Sequence, residues 1–337
     1  MINQKNIVEL KRSDAVDHFL LIKKCELRNT KNNKSFLTFE LGDKTGSIAA
    51  NIWENFESFY NNISVGSVIK IEGVIDEYQG NPQIKVSGFR LTKDSDNVSP
   101  ADFLPVSKRN LNEMKKEFYD RIGQIGNPNL KTLVTNIFNK GNFEKFSKAP
   151  AGKSWHHSYI HGLLEHTLEI IKICDLMCDI HPEINRDLLI SGAMLHDLGK
   201  VEELSYDSAF EYTDKGKLLG HIVISAMIVN EEVKKIPNFS EELKNLLIHV
   251  VLSHQGKLEN ASPIVPKTLE AITLYHADEL SAKVNAYKNA LSNQMKTDSK
   301  WTKYLPLVLT ELYKHDFPEG EFNPENGAGD ISESLFE

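Results

Sequence analysis

Leu189-Ile190-Ser191-Gly192-Ala193-Met194-Leu195-His196-Asp197-Leu198-Gly199-Lys200 is the stretch on which the reading of the whole chain turns. An apolar helix runs into an adjacent imidazole and carboxylate, then meets a glycine. Such a pair at a helix end lets one carboxylate bridge two metal ions while the neighbouring imidazole binds one of them. The same residues also suit a helix C-terminus, with Gly199 left-handed and His196 and Lys200 facing the negative end of the dipole. A motif this short does not decide between the two, so the decision rests on what surrounds it.

Around the stretch the chain is helical and histidine-rich. Ten of the twelve histidines lie between His156 and His276, a concentration that packing alone does not explain. Hydrophobic periodicity predicts helices over 159–179, 186–198, 216–235, 240–253 and 267–291, with Ser240 an N-cap and Gly256 a stop. Each long helix offers a metal-ligand type: His166, His196 with Asp197, His221, His249 and His254, and Asp278. A helical bundle presents such side chains inward from several helices at once. Gly220, just before His221, lacks a side chain and would let the backbone approach a ligand. His181 and His276 read as core residues, and His156, His157 and His161 as residues at the start of a helix.

Further out, residues 14–93 alternate as strands. Leu37, Phe39 and Leu41 share one face, as do Ile48, Ala50 and Ile52. Three strands, a short helix over 54–61 and two strands joined at Gln79-Gly80-Asn81-Pro82 follow the order of an OB-fold, a five-stranded barrel that commonly holds single-stranded nucleic acid. Phe36, Trp53, Tyr78, Lys85 and Arg28 on its outer face suit base stacking and phosphate contact, although Phe36 and Trp53 also suit the closing of the barrel ends. Residues 94–105 read as a polar linker bounded by prolines, and helices are predicted over 111–125 and 129–138. The expected architecture is therefore multidomain β plus all-α: an OB-fold barrel over 1–100, a basic helical linker over 101–154, an all-α bundle over 155–314 and an acidic disordered tail over 315–337.

The formal charge of −8 does not exclude a polyanionic partner, because it is unevenly spread. From His315 onward there are seven acidic residues and no Lys or Arg, whereas 107–153 holds ten basic against four acidic residues. No apolar run spans a bilayer and Met1-Ile2-Asn3-Gln4-Lys5 is no signal peptide, which predicts a cytoplasmic protein with no membrane partner. Cys25, Cys174 and Cys178 form no disulfide framework; the latter two, one turn apart among Ile and Leu, read as core.

The order His166, His196-Asp197, His221, His254, Asp278 resembles the HD superfamily of metal-dependent phosphohydrolases. With the OB-fold in front, residues 14–314 are similar to the YhaM-type 3′→5′ exoribonucleases of low-GC Gram-positive bacteria. The resemblance implies a first metal site of His166, His196, Asp197 and Asp278, with Asp197 bridging to a second held by His221 and His254. It leaves His249 as a ligand or a residue behind His254, and makes Lys200 the group that neutralises substrate phosphate. Gln255 departs from several HD relatives, which carry a second histidine there. Mixed imidazole and carboxylate ligands suit Mn, Fe, Co, Ni or Zn; the resemblance implies two Mn²⁺. The expected activity is exonucleolytic hydrolysis of single-stranded RNA, with single-stranded DNA as a second substrate, to nucleoside 5′-monophosphates, and a homo-oligomer is left open. Two alternatives stand beside it: an HD enzyme of small nucleotides or cyclic dinucleotides, although the Gly-Tyr-Pro signature of the latter is lacking, and a non-enzymatic single-strand-binding protein.

Overall fold

Alternation of apolar and polar residues leaves a strand stable only when one face is covered, and here five strands cover one another. In the computed structural model, which describes residues 4–316 apart from 31, 55, 79, 80, 297, 298 and 307, β2 (Ser35–Gly42) pairs with β3 (Ser47–Ile52) so that Leu37, Phe39 and Leu41 lie opposite Ile52, Ala50 and Ile48. All six are buried. β1 (Ala15–Asn29) is shared: its first half pairs with β4 (Val68–Tyr78) and its second with β2, with an irregularity between Ile22 and Lys24 that turns the strand. β5 (Asn81–Leu91) pairs antiparallel with β4 and parallel with β3, which closes the barrel in the order β1-β2-β3-β5-β4. The predicted helix after β3 shrinks to one turn, α1 (Glu57–Tyr60). Gln79 and Gly80 of the predicted turn, and the acidic tail from 317 onward, lie outside the described residues.

The two helices predicted over 111–125 and 129–138 are present, and a third follows them. α2 (Leu111–Gly123), α3 (Pro128–Ile137) and the unpredicted α4 (Lys140–Lys148) are each capped by an asparagine, Asn110, Asn127 and Asn139, whose side chain accepts from first-turn amides. The Phe118 ring meets Phe138 edge to face at 4.9 Å and Phe143 at a tilt at 5.0 Å. These helices contribute to the same apolar core as α5 (Gly162–Ile180), α6 (Arg186–Leu195), α8 (Asp214–Val233), α9 (Glu241–Ser253) and the first half of α10 (Leu269–Asn293). Between α6 and α8 lie α7 (Lys200–Glu203) and a hairpin of β6 (Leu204–Ser205) and β7 (Glu211–Tyr212), neither of which has a periodic signal. Ser240 caps α9 as expected, and Gly256 stops it at φ 73°. His181 and His276, expected in the core, are both exposed.

The segment expected as a polar linker is more than that. Phe103 and Leu104 are buried against Leu21 and Val68 of the barrel and against Ile160 and Phe210 of the helical part. Asp96 takes a two-point ion pair from Arg90. Two apolar side chains amid polar neighbours thus join the barrel to the bundle. The described residues between 287 and 316 form a second compact unit, in which Leu305 and Leu312 are buried with Ala290. Among the described residues no helix is long and apolar enough to cross a membrane.

Candidate functional site

Five elements of the bundle deliver side chains to one buried point. His166 comes from α5, His196 and Asp197 from the end of α6, His221 from α8, His254 from the end of α9 and Asp278 from α10. Asp197 lies at the middle, and its two oxygens face different partners. Oδ2 is 3.3 Å from His196 Nε2 and 3.9 Å from His166 Nε2; Oδ1 is 3.3 Å from His221 Nε2 and 3.6 Å from His254 Nε2. Two ligand groups that share Asp197 result, His166-His196-Asp197 and Asp197-His221-His254. Asp278 Oδ1 sits 3.0 Å from His166 Nε2, on the first of these.

Each ring is turned the same way by its other nitrogen. His196 and His254 follow the last turns of α6 and α9, where carbonyls lack helical partners, and Nδ1–H donates to Ala193 O at 2.8 Å and to Val251 O at 2.7 Å. His221 Nδ1–H donates to Glu203 Oε1 at 2.9 Å. Ser281 donates its hydroxyl to Glu169, so its oxygen accepts from His166 Nδ1–H at 3.0 Å. With Nδ1 the donor, a neutral ring presents the Nε2 lone pair to the carboxylates. His196, His221 and His254 Nε2 and Asp197 Oδ1 have no hydrogen-bond partner among the described residues, while Asp197 Oδ2 has the Lys200 ammonium at 2.6 Å. Acceptors gather in a buried site, an arrangement that a cation between them relieves. The donor set of imidazole nitrogen and carboxylate oxygen fits a first-row divalent ion.

The charges point the same way. Burial holds His166 well below the ordinary imidazole value and pushes His254 down to about 3, so both rings are neutral ligands. Burial opposes ionisation of Asp197 too, but Lys200 and His196 overcome it and keep the carboxyl well below its usual range. His196 is raised, since Asp197 outweighs the effect of burial. Lys200 is buried with Nζ 2.6 Å from Asp197 Oδ2, and Asp197 and Asp278 hold its pKa up against burial.

Gly199 is not a left-handed cap. Its φ and ψ are −62° and −18°, and it starts α7. A Cβ there would lie 2.2 Å from His221 O and 2.9 Å from His221 Cα, so glycine is what lets α8 come this close to Asp197. Its N–H donates to Ser225 Oγ at 2.8 Å, one turn beyond His221. At Gly220, by contrast, no other part of the protein crowds the Cβ position; the residue breaks α8 with φ 71° and ψ 152°. The space beside Gly220, where a ligand was expected to approach, is open to the backbone, and the close packing of two backbones occurs at Gly199.

His249 does not join the cluster. Its Nε2 accepts from the Lys267 amide at 2.9 Å, away from His254, because five residues are more than one helical turn. His161 stands at the start of α5 as expected, with Nδ1 against Ser147 O. His156 and His157 do more than start a helix: their rings lie 4.9 and 5.0 Å from the His166 ring, and His157 Nε2 is 3.2 Å from Glu169. Burial, then His166, holds His156 well below its ordinary pKa. Glu203, Glu169 and Ser281 had no sequence signal, since a lone carboxylate or hydroxyl in a helix carries no spacing.

On the barrel, Phe36 and Trp53 stack on each other at 4.3 Å and 17°, with Trp53 46% exposed, so they form an outward aromatic surface rather than close an end. The register sets Arg28 beside Phe36 and Asn51 beside Lys85. An open groove next to Trp53 is lined by Asn51, Phe89, Arg90 and Lys93 among others. Arg28 is paired with Glu26 at 2.6 Å, and Tyr78 is 63% exposed at the end of β4.

Comparison with known proteins bears on both parts. Residues 163–283 match the HD domain family and residues 23–92 the OB-fold nucleic acid binding domain family. A protein of a Geobacillus species named 3′-5′ exoribonuclease YhaM is 36% identical over 287 residues, 85% of this chain and 88% of that one. Its namesake in Bacillus subtilis is 33% identical over 313 residues, 93% and 99% of the two chains. That of Listeria monocytogenes is 35% identical over 293 residues, 86% and 92%.

Proposed function

Because the chain belongs to the YhaM family of 3′-5′ exoribonucleases, we propose that it removes nucleotides from the 3′ end of single-stranded RNA, and of single-stranded DNA as a second substrate, as nucleoside 5′-monophosphates. The observation that carries this is Asp197, whose two oxygens each face a separate pair of imidazoles, His166 with His196 and His221 with His254. His166, His196, Asp197 and Asp278 would hold one divalent ion and Asp197, His221 and His254 the other, Mn²⁺ in both. Two such ions, when bound, lower the pKa of water and stabilise charge on attacking and leaving oxygens of a phosphodiester.

The chain's own residues supply the rest. The carbonyls of Ala193 and Val251, Ser281 and Glu203 orient the rings, so no ligand has to turn when metal arrives. Lys200, kept charged, places a buried positive group on the Oδ2 side for the substrate phosphate. Phe36 and Trp53 hold bases by stacking, with Arg28, Lys85 and Tyr78 flanking the strand. The barrel over 1–100 grips and the bundle cuts, and the enzyme works in the cytoplasm.

A 5′-labelled RNA with Mn²⁺ tests this. It should shorten stepwise from the 3′ end, and a 3′-phosphorylated copy should resist. Internal cuts, or preference for a cyclic dinucleotide or a dNTP over the oligonucleotide, would refute it.

A further inference from the structure

We infer that Glu203 is a positioning residue for the second metal centre and sets the affinity of that centre alone. The inference rests on the two-centre reading above. Gly220, in a left-handed conformation, breaks α8, so the N–H of His221 has no helical partner. Glu203 Oε1 accepts it at 2.9 Å and accepts the ring Nδ1–H of the same residue at 2.9 Å. One carboxylate oxygen therefore holds His221 by its main chain and its ring together.

Three further observations separate this contact from ordinary packing. Of the four cluster rings, His221 is the least buried, with its side chain 18% exposed, so neighbours do not fix it by shape. The backbone is built to bring Glu203 in: a Cβ on Gly216 would lie 2.3 Å from Glu203 O, and Glu203 is pinned by Gly199 O and Thr213 N at 2.9 Å each. Charge is the third. The first centre has two carboxylates, Asp197 and Asp278, whereas the second has Asp197 and two imidazoles. Of those rings, His221 is backed by a carboxylate and His254 by a carbonyl. A carboxylate behind a ligating imidazole orients it and raises its basicity, and losing such a partner typically costs about 10- to 100-fold in metal affinity.

Mn²⁺ binding to the full-length protein, counted by the loss of the free-ion electron paramagnetic resonance signal, tests the inference without substrate. Wild type should take up two ions. Glu203→Leu should keep the first at wild-type affinity and bind the second about 10- to 100-fold more weakly, with turnover restored by raising Mn²⁺. Glu203→Gln, which keeps an acceptor of the same shape but loses the charge, should show a smaller shift confined to the same ion, and it carries the test if the leucine variant does not fold. Two ions at wild-type affinity in both variants, or equal weakening of both ions, would overturn the inference. A wild type that binds a single ion would instead overturn the two-centre reading beneath it.

Discussion

Gly199→Ala isolates the contact that brings α8 to Asp197. Alanine accepts φ −62° and ψ −18° without strain, so the backbone conformation costs nothing. The added methyl, however, would lie 2.2 Å from His221 O and 2.9 Å from its carbonyl carbon, about 1 Å or more inside ordinary contact. The obstacle is main chain that carries a metal ligand, so relief requires α8 to move away from Asp197, breaking the 2.8 Å bond from Gly199 N–H to Ser225 Oγ. Overpacking of this kind destabilises by about 1–3 kcal/mol, and a displacement near 1 Å at a reacting centre costs about 100-fold in rate. The assay is kcat on a short single-stranded RNA at saturating Mn²⁺, beside thermal melting and ion counting. Gly123→Ala, where a Cβ meets nothing within 4 Å, is the control; it should keep full activity and gain about 0.4–1 kcal/mol. Unchanged turnover and two tightly bound ions in Gly199→Ala would refute the reasoning.

Asp197→Asn should lose both ions and leave Lys200 buried without its carboxylate, at a cost of about 3–5 kcal/mol; adding Lys200→Met should recover melting temperature but not activity, and recovery of activity would contradict the assignment. Trp53→Ala should weaken binding of long RNA by about 1–3 kcal/mol while leaving metal content alone, and affinity of the wild type should fall as salt rises; equal affinity in both proteins would show that the stack does not meet bases. The depressed pKa of His254, about 3 against an ordinary 6.5, means the unfolded chain takes up a proton that the native one refuses. Its stability contribution is therefore intact above about pH 6.5 and lost toward pH 3, at up to about 1.4 kcal/mol per unit. Metal-free wild type should lose urea resistance relative to His254→Leu as pH falls through that window, and parallel curves would contradict it.

The barrel was legible because its signal is local. Leu37, Phe39, Leu41, Ile48, Ala50 and Ile52 announce their faces by alternation alone, and all six are buried as expected. His166, His196, Asp197, His221, His254 and Asp278 were legible because the ligand types recur once per helix, and the structure brings the six together. What was illegible depends on contacts between distant segments. α4 has two phenylalanines amid lysine and glycine, too few to show a period, and forms because Phe143 and Phe146 meet Phe118. Phe103 and Leu104 look like stray apolar residues until Leu21 and Ile160 arrive. The glycine after the His-Asp pair reads as a stop in one dimension, and only the fold shows that the backbone of His221 needs its space.

The small core of Phe103 and Leu104 with Phe19, Leu21, Val68, Ile160 and Phe210 makes the barrel and the bundle one piece, since a swing of either would bare these side chains together. If the barrel grips RNA and the bundle cuts it, an enzyme so built would be a ruler. Its grip and its blade would stand a constant number of nucleotides apart, while each turnover took one nucleotide from the strand that spans them. A strand longer than that interval would be held at both points and digested at a steady pace; a shorter one would touch the blade alone and dissociate. Digestion should then halt at remnants of one length whatever transcript it began with, visible as a step in rate against oligonucleotide length, and a smooth decline would speak for a barrel that moves. Clearing those remnants to mononucleotides would fall to an enzyme that needs no second handhold.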